Sequence, residues 1–563
     1  MRWLYILFAL QIRYTFAYEY IPPIFQFEQE SEPRYEDDDP VRHQVNVSNP
    51  QTRHVQHFDR RATANNPGAA TSGSSEGLQE FTPIRDTILQ SQVKYYSFSV
   101  NTQSGLGEFY ELLIFLTGNI CTQPNNVHPN ETSIAVYYSF NSTMFANNEV
   151  GQMKLFENGY FQALADLPIE PKTTSTTTNT GAGATPVPPH NPAEDEKILY
   201  IAVRAPQNTN VTASWTYQIG VSQNDLVFQW DDRSFGSVVD TDDNSALIVT
   251  SNLTAYAGDW DSLNASDSKY FLYLYSYENK DYFAGMNNSW CAVRNGPALM
   301  GPGSIQNTYT TRNGGIQQQF MIQGLNESTR YVAYIVADFQ GKDFGGALYH
   351  PFEFETMSNS ACELIYDLDF CNRVAYSVPA LGDASMADNK DATKRIYDDH
   401  VKSLYVNFSK ALQQIPCDTN PEAIFSNLKS CDDCAESYKD WLCAVSIPRC
   451  NTENSSDGYI LRNSTQQRND FMKNVIKPSQ PFYEVLPCVN VCHAIVRDCP
   501  ADFGFMCPTG NDTIALSYYW DDDNPGQWPS CNYVGKMVAQ TSGVAKLLAN
   551  VMLVALVVCL HWI

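Results

Sequence analysis

Fifteen cysteines are distributed unevenly along this 563-residue chain, and their placement restricts what it can fold into. Twelve lie between Cys362 and Cys531, Cys121 and Cys291 stand apart upstream, and Cys559 lies in an apolar C-terminal stretch. The fourteen that precede Cys559 are an even number, which suits complete pairing. Dense cysteines in a secreted chain form disulfides that staple compact modules. The sequence therefore predicts a disulfide-bonded cell-surface protein with a cysteine-rich last third.

The N-terminal residues have the pattern of a signal peptide. Arg2 gives a positive start, an apolar run extends from Trp3 to Leu10, and the small residues Thr15 and Ala17 suit cleavage after Ala17. This order of basic, apolar and small residues is typical of a secretion signal. We therefore expect a signal peptide over residues 1–17 and entry into the endoplasmic reticulum.

The C-terminal stretch Leu547–Ile563 is nearly all apolar and favours membrane attachment. Small residues, a short spacer and an apolar tail are the ingredients of a glycosylphosphatidylinositol (GPI) signal, with Ser542 and Gly543 as candidate attachment residues. The alternative for residues 541–563 is a transmembrane helix, because their length approaches the thickness of a bilayer's hydrocarbon core. Either anchor would hold an extracellular body at the plasma membrane.

Asn-x-Ser/Thr sequons are spread over the whole body of the chain, which agrees with passage through the secretory pathway. The candidates for N-glycosylation are Asn46, Asn130, Asn141, Asn210, Asn252, Asn264, Asn287, Asn326, Asn407, Asn454, Asn463 and Asn511.

The charge balance restricts the partners. Sixty-two acidic residues against 36 basic ones give a net charge of −26, which disfavours nucleic acid and anionic membrane surfaces and attracts cations. The acidic groups Asp231-Asp232, Asp242-Asp243 and Asp521–Asp523 raise the question of calcium, which binds clustered carboxylates. None has EF-hand spacing. We interpret them as solvated acidic surface and leave calcium binding by the chain open.

Changes in composition divide the chain into a multidomain protein. We predict a mainly β N-terminal part, made of two β-sandwich-like domains, and a disulfide-rich, mainly α cysteine-rich domain. The predicted segments are a disordered acidic and polar leader at 18–80, a first sandwich at 81–222 with a Thr/Pro-rich loop at 173–192, a second sandwich at 223–357 similar to fibronectin type III, and the cysteine-rich helical domain at 358–535.

Two features support the second sandwich and its connection to the first. Gly324 to Tyr334 has the pattern of a turn that enters a strand through a tyrosine corner. Cys121 and Cys291 are the cysteines of the β part, and a bond between them would staple the two sandwiches together, although spacing alone does not prove it.

In the cysteine-rich domain, helical periodicity predicts a shared face. Cys492, Ile495, Val496 and Cys499 follow Cys488 at offsets of 4, 7, 8 and 11, so we expect all five on one face of a helix, with the three cysteines in a common core. All fourteen lumenal cysteines are candidate disulfide residues with unknown pairing: Cys121, Cys291, Cys362, Cys371, Cys417, Cys431, Cys434, Cys443, Cys450, Cys488, Cys492, Cys499, Cys507 and Cys531.

No catalytic or cofactor motif is evident in the sequence. Cys431 and Cys434 have the spacing of a half zinc site or a redox pair, but no second close pair follows at a matching distance, and structural disulfides are the favoured interpretation. Nucleophile-elbow, zinc-protease and phosphate-loop patterns are absent from the sequence. We therefore expect neither an enzyme nor a bound cofactor.

Several segments resemble the fungal stretch-activated calcium channel regulatory subunit, the mating-pheromone-induced-death family. They are Cys431–Cys450, Leu486–Cys499, Asn224–Asp231, Cys291–Pro297, Leu368–Cys371 and Val374–Pro379. The C-terminal spacing is also similar to the frizzled-type cysteine-rich fold, which implies a structural core that contains Trp441, Pro448 and Pro487.

The resemblance implies an extracellular, non-pore subunit of a large four-repeat, voltage-gated-type calcium channel. Such a subunit would promote calcium entry on mating pheromone, cell-wall, endoplasmic reticulum or stretch stress, with residues 407–531 as the expected contact region. The alternative is a tethered receptor or wall protein whose cysteine-rich module binds lipid or whose sandwiches bind glycan.

Overall fold

The computed structural model describes residues 76–101, 111–124, 133–141, 151–168, 197–206, 213–253, 269–312, 315–339, 345–382, 390–416, 426, 428–455, 457–520 and 529–535. The predicted signal peptide, the Thr/Pro-rich loop at 173–192 and the C-terminal tail with Ser542 and Gly543 lie outside these residues. The described residues belong to one compact unit.

The first described part of the chain, up to Ser222, contains nine strands in two sheets. One sheet has the order β1-β3-β8-β5-β6 and the other β2-β9-β4-β7. The strands are β1 Glu76–Leu78, β2 Ile84–Leu89, β3 Val93–Val100, β4 Glu111–Thr122, β5 Ala135–Ser139, β6 Gln152–Leu155, β7 Tyr160–Pro168, β8 Lys197–Arg204 and β9 Ser214–Ser222.

The residues of these strands alternate between the core and the opposite face. In β3, Tyr96, Phe98 and Val100 are buried, as the period of two in a strand requires. Strand β1 pairs in parallel with β3, so folded structure begins inside the segment 18–80 that we predicted to be a disordered leader. Leu78 is buried against the sheet, which explains why this short strand is ordered despite its polar neighbours.

The second group of strands also forms two sheets, and it includes a short helix. Strands β10, β17, β16 and β13 are neighbours in that order, with β18 also paired to β16, and the other sheet has the order β11-β12-β15-β14. The elements are β10 Phe228–Asp231, β11 Gly236–Thr241, β12 Ser245–Thr250, β13 Tyr270–Ser276, α1 Trp290–Asn295, β14 Gln306–Arg312, β15 Gly315–Gln323, β16 Arg330–Asp338, β17 Gly346–Tyr349 and β18 Phe352–Glu355.

The predicted tyrosine corner is confirmed by its hydrogen bond. The hydroxyl oxygen of Tyr331, at the start of β16, accepts a bond of 2.9 Å from the backbone N–H of Asn326. The Tyr331 ring is buried and stacks against Phe354 of β18. This contact fixes the turn that enters β16.

Helix α1 joins the first and second groups of strands. Cys291 on α1 is bonded to Cys121 of β4, and the backbone N–H of Trp290 donates to the side-chain oxygen of Asn119 at 3.1 Å. The indole N–H of Trp290 donates to the carbonyl of Ala337 in β16 at 3.1 Å. Because one buried cluster contains side chains from both groups, the boundary predicted at 222/223 does not separate two independent cores.

The last third mixes short strands with helices. Its strands form a pair, β19-β20, and a three-stranded sheet in the order β21-β23-β22. The elements are β19 Cys362–Ile365, β20 Tyr376–Pro379, α2 Lys390–Leu412, α3 Cys431–Ser446, β21 Arg449–Asn451, β22 Tyr459–Arg462, a π-helical turn Met472–Ile476, β23 Phe482–Val485, α4 Val489–Asp498, a 3-10 turn Ala501–Phe503 and α5 Asn511–Ile514.

The described part of the chain is mainly β, as the sequence predicts, and carries its helices mostly near its C-terminal end. The longest described helix, α2, has 23 residues and carries charged residues along its length. Among the described residues, no helix combines the length and apolar character needed to cross a membrane.

Candidate functional site

Disulfides connect the elements of the cysteine-rich region, which we define as residues 358–535. One joins strand β19 to strand β21, and the others join α3, α4 or their ends to each other or to loops, across separations of 15 to 88 residues. The described pairs in this region are Cys362–Cys450, Cys371–Cys443, Cys434–Cys499, Cys488–Cys531 and Cys492–Cys507, and Cys431 is also disulfide-bonded. Cys417 lies outside the described residues.

Cys431 and Cys434 open helix α3 and are not bonded to each other. Cys434 is bonded to Cys499 at the end of α4, and no group of three potential metal ligands occurs among the described residues. The helix starts with a capping box, in which Ser430 and Asp433 exchange hydrogen bonds between side chain and backbone. The bond from the Ser430 backbone N–H lowers the pKa of the Asp433 carboxyl. The Cys431–Cys434 motif therefore begins a helix and supplies a structural disulfide.

Helix α4 places two of its three nearby cysteines at its ends. Cys488 precedes the helix, Cys499 follows it, and Cys492 lies within it; all three are buried and pair with different partners. Ile495 is also buried, but Val496 is 45% exposed, so the prediction that it shares the buried face of the cysteines is wrong. At about 100° per residue, an offset of eight leaves Val496 about 80° away from Cys488 on the helix.

An aromatic cluster, which we call the aromatic face, lies where α2, α3 and the turn after α4 meet. The rings of Phe408 on α2 and Tyr438 on α3 stack with their centroids 3.6 Å apart. Tyr405, Phe503 and Phe505 complete the aromatic face through contacts of 5.5 to 6.4 Å with these two rings. Partial burial raises the pKa of both Tyr405 and Tyr438.

Exposed apolar residues are neighbours in sequence of two members of the aromatic face. Leu404 and Val406 flank Tyr405 and are each 43% exposed, and Met506, next to Phe505, is 88% exposed. On helix α2, Leu404 shares a face with Phe408, four residues on, whereas Val406 points away from it. Exposed apolar groups near half-buried rings are typical of protein-binding surfaces, where aromatic anchors carry much of the binding energy. The aromatic face is therefore our candidate functional site.

Buried acidic residues hold the helices that carry this site. Asp398 of α2 accepts hydrogen bonds from the backbone N–H groups of Phe370 and Cys371 at 2.7 and 2.8 Å. Asp498, at the end of α4, accepts from Ser437 of α3 at 2.5 Å and forms an ion pair with Lys429 at 3.1 Å. These contacts tie α2 and α4 to their neighbours.

The charged and polar partners of Asp498 lower the pKa of its carboxyl group. Arg497 lies 2.6 Å from its carboxylate, and this bond is the main cause of a pKa far below the ordinary value. Bonds from Ser437 and Lys429 act in the same direction, whereas burial acts in the opposite direction. Asp498 is therefore charged wherever the protein is folded near neutral pH.

Two further carboxylates hold the cysteine-rich region against the second group of strands. We call this junction the seam. Asp240 of β11 pairs with Arg449 at 2.8 Å and accepts from the backbone N–H of Ser377, while Asp242 pairs with Lys390 of α2 at 2.5 Å. Burial raises the pKa of Asp240 in spite of its pairing with Arg449.

The prediction of solvated acidic groups is wrong for one residue of each described pair. Asp242 is 1% exposed and Asp231 is 8% exposed, whereas Asp232 is exposed as predicted and Asp243 is half-buried. Asp231 pairs with Arg233 at 2.6 Å, and Asp242 also accepts from the backbone N–H of Leu364. Both carboxylates are buried with a countercharge beside them: Asp231 has its near neighbour Arg233, and Asp242 has the distant Lys390. Asp521–Asp523 lie outside the described residues.

The residues predicted as the core of the frizzled-like module occupy different environments. Pro448 and Pro487 are buried, whereas Trp441 is half-buried beside Tyr438. The indole N–H of Trp441 donates to the hydroxyl of Tyr518 at 2.9 Å. Trp441 therefore lies at the border between the core and the aromatic face.

The predicted sequons that the structure describes lie at the surface. Asn463 is half-buried, and its side-chain oxygen accepts from the backbone N–H and the hydroxyl of Thr465. Asn46, Asn130, Asn210 and Asn264 lie outside the described residues. The exposed ones are Asn141, Asn252, Asn287, Asn326, Asn407, Asn454 and Asn511.

The sequence reasoning missed both the aromatic face and the seam. The three-residue spacing of Tyr405 and Phe408 is a helical signal that could have been noticed, since such residues share one face. No local pattern indicates that Asp240 meets Arg449, because the two lie in different parts of the chain. Only the tertiary structure brings them together.

Comparisons with known proteins identify relatives of this chain. Residues 113–537 match the family described as a stretch-activated Ca²⁺-permeable channel component. The stretch-activated cation channel MID1 of Saccharomyces cerevisiae is 38% identical over 506 residues, covering 83% of this chain and 88% of the relative. The stretch-activated cation channel yam8 of Schizosaccharomyces pombe is 34% identical over 308 residues, covering 54% and 61%.

Among solved structures, a glycoside hydrolase domain of Endo-D from Streptococcus pneumoniae aligns with a TM-score of 0.16 and 10% identity. The alignment covers 49% of this chain and 33% of the other. A score this low carries no conclusion about fold or activity.

Proposed function

Because this chain belongs to the family of stretch-activated Ca²⁺-permeable channel components, we propose that it is the extracellular, non-pore regulatory subunit of a plasma-membrane calcium channel. It would be needed for calcium entry on mating pheromone, cell-wall, endoplasmic reticulum or stretch stress. Its partner would be a large four-repeat, voltage-gated-type channel subunit.

The aromatic face is the observation that carries this proposal. Disulfides through Cys371, Cys434 and Cys492 constrain the segments around the face before any partner arrives. A surface that is already ordered loses little conformational entropy when it binds, so more of the contact energy appears as affinity. The exposed side chains of Leu404 and Met506 would contact an apolar extracellular part of the channel.

The rest of the chain fits the same role. A signal peptide at 1–17 would send the body to the outside, and residues 541–563 would anchor it through a GPI group or a transmembrane helix. We interpret residues 81–222 and 223–357 as sandwich-like domains that share a joint at α1, and residues 358–535 as the frizzled-like module. Glycans on the exposed sequons outside the segment that contains Asn407, which adjoins Phe408 of the aromatic face, would cover surfaces that do not contact the channel.

Co-purification from gently solubilised membranes tests the proposal. Tagged protein should recover a large four-repeat channel, identified by mass spectrometry, and deletion of the gene should abolish stress-induced calcium uptake. Recovery of no channel, together with normal uptake in the deletion strain, would contradict it. Recovery of wall glycans or lipids alone would favour the alternative, a tethered receptor or wall protein.

Two exposed apolar residues provide a matched pair for the contact itself. Met506→Glu, beside the aromatic face, should reduce channel recovery and calcium uptake at least about tenfold, the effect of losing about 1.4 kcal/mol of binding. Leu516→Glu is the control, because Leu516 is 75% exposed and follows α5 instead of the aromatic face. Both variants should reach the cell surface in normal amounts. Equal losses in both would remove the aromatic face from the interface.

A further inference from the structure

A polar cavity of about 990 Å³ opens at the seam, and neither the family nor the aromatic face accounts for it. One wall comes from the second group of strands, with Asn244, Gln306 and Gln323. The other comes from the cysteine-rich region, with Tyr366 after β19 and Asp391 in the first turn of α2. The volume lies within the range of about 300–1,000 Å³ that is typical of small-molecule sites, which often lie between domains.

The base of the cavity is fixed by internal contacts. Asp242 is paired with Lys390, which also donates to Ser245, and Glu363 accepts a 2.6 Å bond from Thr393. These groups are neutralised or bonded within the protein, so they form the wall of the cavity. A ligand would contact the remaining groups nearer its mouth.

The charge, arrangement and polarity of the lining residues disfavour anions, metal ions and lipid chains as ligands. Five carboxylates line the cavity against two lysines, Lys390 and Lys394, so an anion would be repelled. Among the described residues, no group of three carboxylates, histidines or cysteines is arranged to hold a metal ion. The lining is mostly polar, which disfavours a lipid chain.

The remaining side chains match a polyhydroxyl ligand. Four carboxamides, on Asn244, Gln306, Gln323 and Gln480, line the cavity, and each can both donate and accept hydrogen bonds, as sugar hydroxyls do. The exposed carboxylate of Asp391 can accept from hydroxyl groups. The half-buried ring of Tyr366 adds an apolar surface with a polar tip, on which a sugar ring can pack.

We propose that the seam cavity binds a neutral oligosaccharide, a ligand separate from the channel. Both walls contribute contacts, so a bound sugar would bridge the strands and the cysteine-rich region and stabilise their closed arrangement. Asp242 belongs to the cavity wall and to the seam, so occupancy and the seam are physically coupled. The proposal does not depend on the aromatic face or on the channel.

Binding measurements on the purified full-length chain in detergent micelles test the site. The probes are a β-1,3-linked glucose hexasaccharide, a β-1,4-linked N-acetylglucosamine hexasaccharide and a mannose-rich N-glycan, so that wall polysaccharide and protein-linked glycan are distinguished. At least one should bind, and the double variant Gln323→Ala/Asp391→Asn should weaken it at least tenfold. Both side chains are exposed, so the fold should be retained, as thermal unfolding would verify.

Gln162→Ala is the matched control, because Gln162 is an exposed glutamine on β7 that does not line the cavity. The control should leave oligosaccharide binding unchanged. A further variant, Tyr366→Phe, should keep the packing of the ring on the sugar and lose only a contact made by the hydroxyl. Three results would overturn the proposal: no probe binds, the double variant binds as well as the unmodified chain, or an acidic sugar polymer binds more tightly than the neutral probes. Channel recovery is scored separately, so failure here leaves the proposed function intact.

Discussion

Arg449 of the cysteine-rich region donates a hydrogen bond of 2.8 Å to Asp240 of the strand region, and both side chains are almost completely removed from water. Their exposed fractions are 8% and 1%. A charged pair in such surroundings is stable only while both partners remain, because each neutralises the other. Substitution of either partner therefore tests how much the seam contributes to the stability of the protein.

Arg449→Met should destabilise the protein by about 3–5 kcal/mol, because it leaves the Asp240 carboxylate buried without its countercharge. Urea denaturation of the purified chain measures the change. Lys280→Met is the control: Lys280 is 55% exposed and pairs with Glu353 at 2.7 Å, so its loss should cost less than about 1 kcal/mol. Equal effects of the two substitutions would mean that the seam does not depend on Arg449.

Trp290→Ala should cost about 3–5 kcal/mol, because the indole is 3% exposed and fills the joint between the two groups of strands. The change also leaves the carbonyl of Ala337 without its indole donor. Trp520→Ala provides the comparison, since Trp520 is 37% exposed and should tolerate truncation far better. Thermal unfolding would show the difference. A similar melting temperature for both variants would contradict the conclusion that Trp290 holds the two groups of strands together.

Replacement of both Cys434 and Cys499 by serine should prevent the protein from reaching the cell surface. The bond between them joins α3 to α4, and loss of a native disulfide typically costs about 2–5 kcal/mol. Surface labelling and calcium uptake are measured together. Normal surface amounts with lost uptake would show instead that this pair acts in channel contact and not in folding.

Asp498→Asn should lower stability at pH 7 and change its dependence on pH. The pKa of Asp498 is lowered in the folded chain, so its stabilising effect is complete above the unfolded pKa of about 4 and is lost as pH falls towards the folded value. The difference in unfolding free energy between the unmodified chain and the variant should therefore be largest near neutral pH and shrink below about pH 4. Urea titrations at pH 7, 5 and 3 measure it. A difference that grows on acidification would contradict the assignment.

Local patterns predicted the parts of the fold that depend on neighbouring residues. The alternation of Tyr96, Phe98 and Val100 indicates a strand with one buried face, because side chains of a strand point alternately to its two sides. The turn before Tyr331 likewise has a local signature, and its hydrogen bond to Asn326 spans only five residues. Such features are encoded over a few positions.

Local patterns do not determine which residues are buried where the exact angle on a helix or a partner distant in the sequence decides it. Helical spacing predicts Val496 on the face of the buried cysteines, but its angle of about 80° from Cys488 turns Val496 towards solvent. The aromatic face depends on how α2 lies against α3, which no spacing within one helix determines. Its stacked pair, Phe408 and Tyr438, comes from two separate helices.

By itself, the sequence determined the kind of protein: a mainly β chain of the stretch-activated channel-component family, with disulfides concentrated near its C-terminal end. Only the tertiary structure decided which cysteines pair and which charges are buried. Asp240 accepts a hydrogen bond from Ser377, 137 residues further along the chain, and without such partners its carboxylate would have to remain in water. Burial of a charge is a property of the assembled surroundings, so acidic residues that look alike in sequence end at the surface or inside according to what folding brings beside them.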